Sequence, residues 1–444
     1  MATDTPGDVR PLRRRTRQRL LAAAALLLAG CGGDVLIGDE SLYPLWIPTA
    51  VVVTDIDADG RPDIVASAYV SPSLGVFEGR IQVRRQISAG VFTAATEYAV
   101  GNTPWALKVH DLDGDGRQDL VVGEPDQIWD GVRRPGRVWW LKQDPDRSGD
   151  FRPPALLAEG YNVYDVEVAD LTADGIPDIA FGDARTGSHE VWVLPQNAVP
   201  RGSFGTLQSV TTPGPVSRLV ARDVNKDGLI DLTTAYTSAV RPDFSYDTSL
   251  GLNLRGPVGF GGTLPLTTFA YGRADHLAVA DFNFDGNVDA AAYFSRFDER
   301  AVPTIRVRPQ VSANTWGTPI DTLLPVDTVK GRDGQVVADL NGDGRPDFVF
   351  VGSYPEGTTS DGFSIIRSDL NVLLQGSDGR FLRSATYPMP ISATRVGAGD
   401  VDGDGRQDLV VYGTTTLLGG GSADQLLLLR QSSTGTFPTA VTLP

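Results

Sequence analysis

The chain has one cysteine, three histidines, two methionines and only four lysines, Lys108, Lys142, Lys226 and Lys330, in 444 residues. Each scarcity excludes something. A lone cysteine, Cys31, cannot close an internal disulfide. Four dispersed lysines make no polybasic patch for an anionic membrane surface. The histidines, His110, His189 and His276, are isolated from one another, so they form no zinc-binding pair, and structural roles are expected for them. The sequence has no nucleophile elbow or phosphate loop. Its net charge of -16 argues against nucleic acid as a partner, because such a surface repels phosphate backbones.

The first thirty residues read as an export signal. Arg10, Arg13, Arg14, Arg15, Arg17 and Arg19 form a basic region, and Leu20 to Leu28 give an apolar stretch too short to span a bilayer as a stable helix. The stretch ends in Leu28-Ala29-Gly30-Cys31, which resembles the lipobox of bacterial lipoproteins. The resemblance implies cleavage before Cys31 and a lipid on that cysteine, leaving residues 31–44 as a tether. A plain secretory signal with an incidental cysteine is the alternative, and the arginine pairs also fit twin-arginine export. The expected location is outside the cytoplasm, at the cell surface or in a periplasm, with lipid as the only membrane attachment. Removing residues 1 to 30 takes away six arginines and two aspartates, which moves the net charge from -16 to -20.

What the chain does contain is an acidic repeat. Asp55, Asp57, Asp59 and Asp63 recur as Asp111, Asp113, Asp115 and Asp119, then as Asp170, Thr172, Asp174 and Asp178. Four more copies follow: Asp223, Asn225, Asp227 and Asp231; Asp281, Asn283, Asp285 and Asp289; Asp339, Asn341, Asp343 and Asp347; Asp400, Asp402, Asp404 and Asp408. A glycine, first seen as Gly60, holds the sixth place in every copy. The first aspartates lie 56, 59, 53, 58, 58 and 61 residues apart, a period that suits one four-stranded propeller blade.

The strand pattern repeats at the same period. A short apolar strand precedes each loop, as in Ala50 to Thr54 and Ala106 to His110, and a second follows, as in Leu120 to Val122 and Ile179 to Phe181. A third alternates in period two, as in Val138 to Leu141 and Val191 to Leu194. Then comes an aromatic: Phe92, Phe151, Phe204, Phe260, Trp316, Phe381 or Phe437. A fourth strand leads into the next unit. The spacing therefore predicts an all-β fold, a seven-bladed β-propeller over residues 45–444 with four antiparallel strands per blade and the acidic loop between the first and second strands. A ring leaves only short, protected strand edges, which an open stack of sheets would not. Residues Asp34 to Gly38 could pair at its seam.

These residues resemble the FG-GAP or VCBS repeats of integrin α subunits and of bacterial surface proteins. That resemblance implies calcium in all seven loops. The residues themselves argue the same way. Calcium takes six to eight oxygens, and the first loop offers carboxylates from Asp55, Asp57, Asp59 and Asp63 together with the backbone carbonyl of Arg61. The corresponding carbonyls are those of Arg117, Ile176, Leu229, Asn287, Arg345 and Arg406. Up to seven Ca2+ ions are expected, and the third loop, where Thr172 replaces a carboxylate, is expected to empty first. An EF-hand is excluded at its twelfth position, where a bidentate glutamate is required and the chain has Ala66, Val122, Phe181, Thr234, Ala292, Phe350 and Val411.

Function is expected on the face opposite the acidic loops, where the connections after the second and fourth strands gather. Candidate segments are Gln127 to Gly136, Tyr236 to Tyr246, Tyr293 to Pro303 and Tyr354 to Asp369, joined by Trp105, Tyr161, Tyr164, Tyr271 and Arg273. Aromatics beside arginines stack on sugars or anchor proteins. The leading reading is a recognition or adhesion module for a protein or glycan. The alternatives are a propeller-type polysaccharide lyase or hydrolase and a scaffold subunit of an envelope complex.

Overall fold

The computed structural model describes residues 44–444 apart from 74, 130–131, 243–244, 297–301, 325–333, 359–363 and 417–421. The export signal, Cys31, the tether and the seam segment Asp34 to Gly38 lie outside the described residues. So does part of the connection expected from Tyr293 to Pro303.

Seven four-stranded antiparallel sheets follow one another along the chain. The first comprises Leu45–Thr54, Asp63–Ser73, Val76–Arg84 and Thr96–Ala99, and the last comprises Ser392–Gly399, Asp408–Thr416, Ser422–Leu429 and Ala440–Thr442. Each sheet takes its strands from one contiguous segment, so blade seven is complete without a strand from the opposite end of the chain. Among the described residues there is no helix.

Successive side chains of a strand point to opposite faces, and nearly every residue of the second strands is buried, so both faces of a sheet pack against its two neighbours and the core is divided among the blade interfaces. Seven apolar clusters result, one between each adjacent pair. The cluster that closes the ring joins Ile64, Ala66 and Phe92 of blade one to Val410, Tyr412 and Leu428 of blade seven. The seam is also hydrogen-bonded, through Ser422 N to Pro44 O at 2.8 Å and Trp46 N to Ser422 Oγ at 2.9 Å.

Three of the segments expected to be open connections are largely paired backbone. Blade six extends its second and third strands to Asp347–Thr358 and Ser364–Gln375, with Tyr354 opposite Arg367. Blade four does the same with Asp231–Val240 and Tyr246–Asn253. Residues Gln127–Trp129 and Val132–Arg134 form a two-stranded hairpin. Pairing satisfies backbone groups that a loop would leave to water, and the mixed polar sequence conceals it.

Candidate functional site

Every acidic loop starts after the last residue of a first strand and ends on an aspartate that opens the second, as in the pair Thr54 and Asp63. The chain turns back on itself by adopting left-handed backbone twice. The sixth residue has φ between +81° and +86° in all seven loops, where glycine is free of steric cost. The fourth residue is also left-handed, including Ala58 and Phe284 at φ +61°. The turn gathers backbone donors around the first aspartate: Asp55 accepts from Asp59 N at 3.0 Å and Gly60 N at 2.9 Å. Asp111, Asp170, Asp223, Asp339 and Asp400 accept the same two bonds. The fifth aspartate accepts from the amide of the seventh residue in every loop, from Arg61 N to Asp59 at 2.9 Å through Arg406 N to Asp404 at 2.9 Å. At the twelfth position all seven residues are buried in the second strand, which leaves no room for an EF-hand ligand.

The third position is different. Asp57 Oδ1, Asp113 Oδ1 and Asp402 Oδ1 are buried without a hydrogen-bonding partner, and so is Asp281 Oδ1 at a first position. In the three loops that carry four acids, carboxylates converge: one oxygen from each of Asp55, Asp57 and Asp63 lies within 4.8 Å of the others, as do those of Asp111, Asp113 and Asp115, and of Asp400, Asp402 and Asp404. Buried carboxylate oxygens facing one another without donors are strongly unfavourable. The Asp57 carboxyl is accordingly pushed up, first by burial and then by repulsion from Asp59 and Asp55. The donor set is all oxygen and mostly anionic, which fits a hard divalent cation such as calcium and does not fit a soft metal.

Loops four, five and six close differently. There the third residue is asparagine, and Asn225, Asn283 and Asn341 donate from Nδ2 to the fifth aspartate at 3.0, 3.1 and 3.1 Å. A hydrogen bond from a neutral amide to a carboxylate spans the gap that faces two carboxylates elsewhere. From outside, the Arg61, Arg345 and Arg406 guanidiniums pair with Asp59, Asp343 and Asp404 of their own loops, and the Lys142 ammonium pairs with Asp113.

The ninth aspartate, expected as a ligand, has an architectural duty as well. Asp63, Asp119, Asp178, Asp231, Asp289, Asp347 and Asp408 are all fully buried. Asp63 Oδ2 accepts from Ile56 N at 3.0 Å, and its Oδ1 accepts from Gln86 N at 2.7 Å, beyond the end of the third strand. The second contact exists in all seven blades, with Gln143, Gln196, Arg255, Gln310, Gln375 and Gln431 as the other donors. Burial raises the Asp63 carboxyl to about 6 and those of Asp119 and Asp289 to about 7.

Two elements of this arrangement were hidden in the sequence. The loop's second residue, Ile56, Leu112, Leu171, Val224, Phe282, Leu340 or Val401, is a buried plug. The recurrent glutamine after the third strand pairs with the conspicuous aromatic, as Gln86 with Phe92 and Gln143 with Phe151. Its side chain reaches the preceding blade: Gln86 Nε2 donates to Val401 O at 2.7 Å, and Gln196 Nε2 to Leu112 O at 2.6 Å. Its recurrence at six of seven equivalent positions was the available signal.

On the opposite face, Trp105 and Tyr164 meet edge to face with centroids 5.7 Å apart, and Arg273 lies 5.7 Å from the Tyr164 ring. Tyr271 is covered by Arg241 at 4.0 Å, and Tyr161 packs against Phe181 and Trp192 in the core between blades two and three. Of the expected aromatics, Trp105 and Tyr164 line the mouth of a central channel, a cavity to which the first strands of all seven blades contribute, whereas Tyr161 packs into an interface.

Comparison with known proteins agrees with this geometry. A family model for the FG-GAP-like repeat matches residues 55–122, 111–181 and 339–411. The chain is 26% identical over 162 residues to integrin alpha-PS2 of Drosophila melanogaster, covering 34% of this chain and 11% of that protein. It is 26% identical over 276 residues to cartilage acidic protein 1 of Mus musculus, covering 58% and 41%. It is 27% identical over 185 residues to phosphatidylinositol-glycan-specific phospholipase D of Bos taurus, covering 35% and 21%. The matches thus span less than half the length of each of these relatives.

Proposed function

We propose that the protein is a calcium-braced recognition module, exported and held at a membrane by a lipid on Cys31, that presents the face opposite its acidic loops to a protein or glycan. The single observation that carries the calcium reading is the set of buried, donorless oxygens on Asp57, Asp113 and Asp402 in loops whose carboxylates converge. Asp55, Asp57 and Asp63, Asp111, Asp113 and Asp115, and Asp400, Asp402 and Asp404 would hold the ions. A bound cation would cancel carboxylate repulsion at the tip of the first hairpin and fix the plug residue between blades. The recognition reading is supported by integrin-like repeats and by aromatic and arginine side chains at the channel mouth.

The deciding experiment is thermal unfolding of the purified chain in calcium and in chelator, followed by glycan and protein arrays under both conditions. Calcium should raise the unfolding midpoint, and ligand capture should require it. Equal midpoints would refute the metal, and empty arrays would refute recognition. For the tether, Cys31→Ser should release the protein from the membrane fraction and abolish incorporation of labelled fatty acid. Retention of the label would overturn lipidation at Cys31.

A further inference from the structure

The first strand of every blade contributes residues to the wall of the central channel. On the face opposite the acidic loops the channel opens into a cavity of about 260 Å3. Lys108, Arg218, Arg273 and Arg395 line it, against the carboxylates Asp165 and Glu167. A cationic recess in a chain of net charge -16 needs a reason.

Two of the cations are matched. Lys108 pairs with Glu167 at 2.8 Å, and Arg273 with Asp275 at 3.2 Å. Asp165 is engaged by backbone, accepting from Leu219 N at 3.0 Å. Arg218 and Arg395 are held differently. Each follows a β-bulge in its first strand, in blades four and seven, on well-separated sides of the ring. Arg218 donates from Nε to Asp275 O at 2.8 Å and from Nη1 to Ser217 O at 2.7 Å. Arg395 repeats the arrangement with Thr49 O at 2.6 Å and Thr394 O at 2.7 Å. Carbonyls orient a guanidinium without cancelling its charge, and bulges beside functional sites serve to re-aim side chains. The repulsion is felt at Arg218, which is pushed down first by burial and then by Arg273, with Arg395 contributing. Among the described residues, four cations stand against the three carboxylates Asp165, Glu167 and Asp275, a formal surplus of one positive charge.

Two aromatic rings, Trp105 and Tyr164, join the aliphatic part of the wall. Trp105 meets Tyr164 edge to face, and the Arg395 guanidinium lies 5.4 Å from the Trp105 ring. We propose that this cavity binds a carboxylate of monosaccharide size, a uronic acid unit, with Arg218 and Arg395 supplying the charge and Trp105 and Tyr164 the apolar wall. The proposal rests on the recognition reading and names a ligand class for it. One surplus charge suits a monoanion better than a phosphate dianion, which Asp165 and Glu167 would repel. Those same carboxylates can accept from hydroxyl groups, which a sugar has and a simple fatty or amino-acid carboxylate lacks. The volume admits about one sugar ring.

Calorimetric titration of the calcium-loaded chain with D-glucuronate, D-glucose and N-acetylglutamate tests this. Glucuronate should bind at least about tenfold more tightly than either of the others, and its affinity should fall as salt rises from about 50 to about 200 mM. Arg218→Gln and Arg395→Gln should each weaken it about tenfold or more, whereas Arg395→Lys should keep part of the affinity. Unfolding midpoints identify any variant that fails to fold, and the salt dependence of the native protein stands without variants. Equal binding of glucose, tighter binding of N-acetylglutamate, salt-independent binding or undiminished binding in folded Gln variants would overturn the proposal. If arrays capture a ligand but glucuronate does not bind, this proposal falls alone. If the arrays are also empty, the recognition reading falls with it.

Discussion

Gln143 of blade two and Ile56 of blade one are joined across the blade interface by a 2.7 Å hydrogen bond from the amide Nε2 to the backbone carbonyl. The same glutamine donates its backbone amide to Asp119 of its own blade at 2.8 Å, while Ile56 N donates to Asp63. Buried aspartate, glutamine and loop backbone therefore form a chain of contacts from one acidic loop to the next. In blade four Arg255 substitutes, with Nε 2.8 Å from Leu171 O. In blades five and six the link is unmade: Gln310 Nε2 and both side-chain polar atoms of Gln375 are buried without partners.

That contrast gives the first prediction. Gln143→Leu should destabilise by about 1–3 kcal/mol, because it leaves buried carbonyls unsatisfied. Gln375→Leu should be neutral or stabilising, because its polar atoms already lack partners. Denaturant unfolding of the two variants checks the difference, and equal losses would contradict the linkage.

Positions three and nine of a loop should separate by metal dependence. Asp63→Asn places an amide donor where two backbone donors now bond, at a cost of about 2–4 kcal/mol in chelator as well as in calcium. Asp57→Asn removes repulsion and should leave the metal-free midpoint unchanged or raised, while most of the stabilisation by calcium at that loop is lost. A calcium titration of unfolding midpoints for both variants and the native chain is the measurement.

The loops should also fill unequally. Ion binding stabilises a folded chain by about 2.7 kcal/mol per site at a hundredfold excess over Kd, and affinities of roughly 0.1 to 1 mM are expected. Loops one, two and seven, with convergent carboxylates, should fill before loops four to six, whose asparagines already bridge the gap, and the Thr172 loop should empty first on dilution. Magnesium should substitute poorly, because its tight octahedral shell does not suit a multidentate loop. Metal analysis at graded free calcium, together with Asp113→Asn and Asp402→Asn, would resolve the order.

The channel predicts a pH effect. His276 is pushed down to about 4, first by burial and then by repulsion from Arg218 and Lys108. Its folded value lies below the unfolded value of 6.5, so the unfolded chain takes up a proton first as pH falls. Stability from this group is complete above about 6.5 and is lost progressively down to about 4, by on the order of 3 kcal/mol. Glu167, raised to about 7 by burial, works in the opposite direction and is common to both proteins. His276→Gln should therefore lose less stability than the native chain between these values, read as the difference between their midpoints.

The acidic loops were legible because each set of acidic side chains lies within nine consecutive residues, Asp55 to Asp63 in the first, so periodicity alone revealed them. The aromatics Phe92 and Phe151 were legible for the same reason. Their glutamine partners are not legible, because a glutamine in a polar turn looks like solvated surface until a neighbouring blade is placed against it. The clamping of backbone amides by Asp63 could not be read either, since a ligand and such a clamp require the same residue type.

The repeat spacing, the strand alternation and the acid content were thus sufficient to determine seven blades and where acidic side chains cluster, because those depend on interactions within one period. Ring closure decided the rest. It set Arg218 and Arg395, 177 positions apart in the chain, around one recess, and put each glutamine within reach of the preceding loop. Such juxtapositions follow from the rotation between packed sheets, which no local pattern of residues encodes.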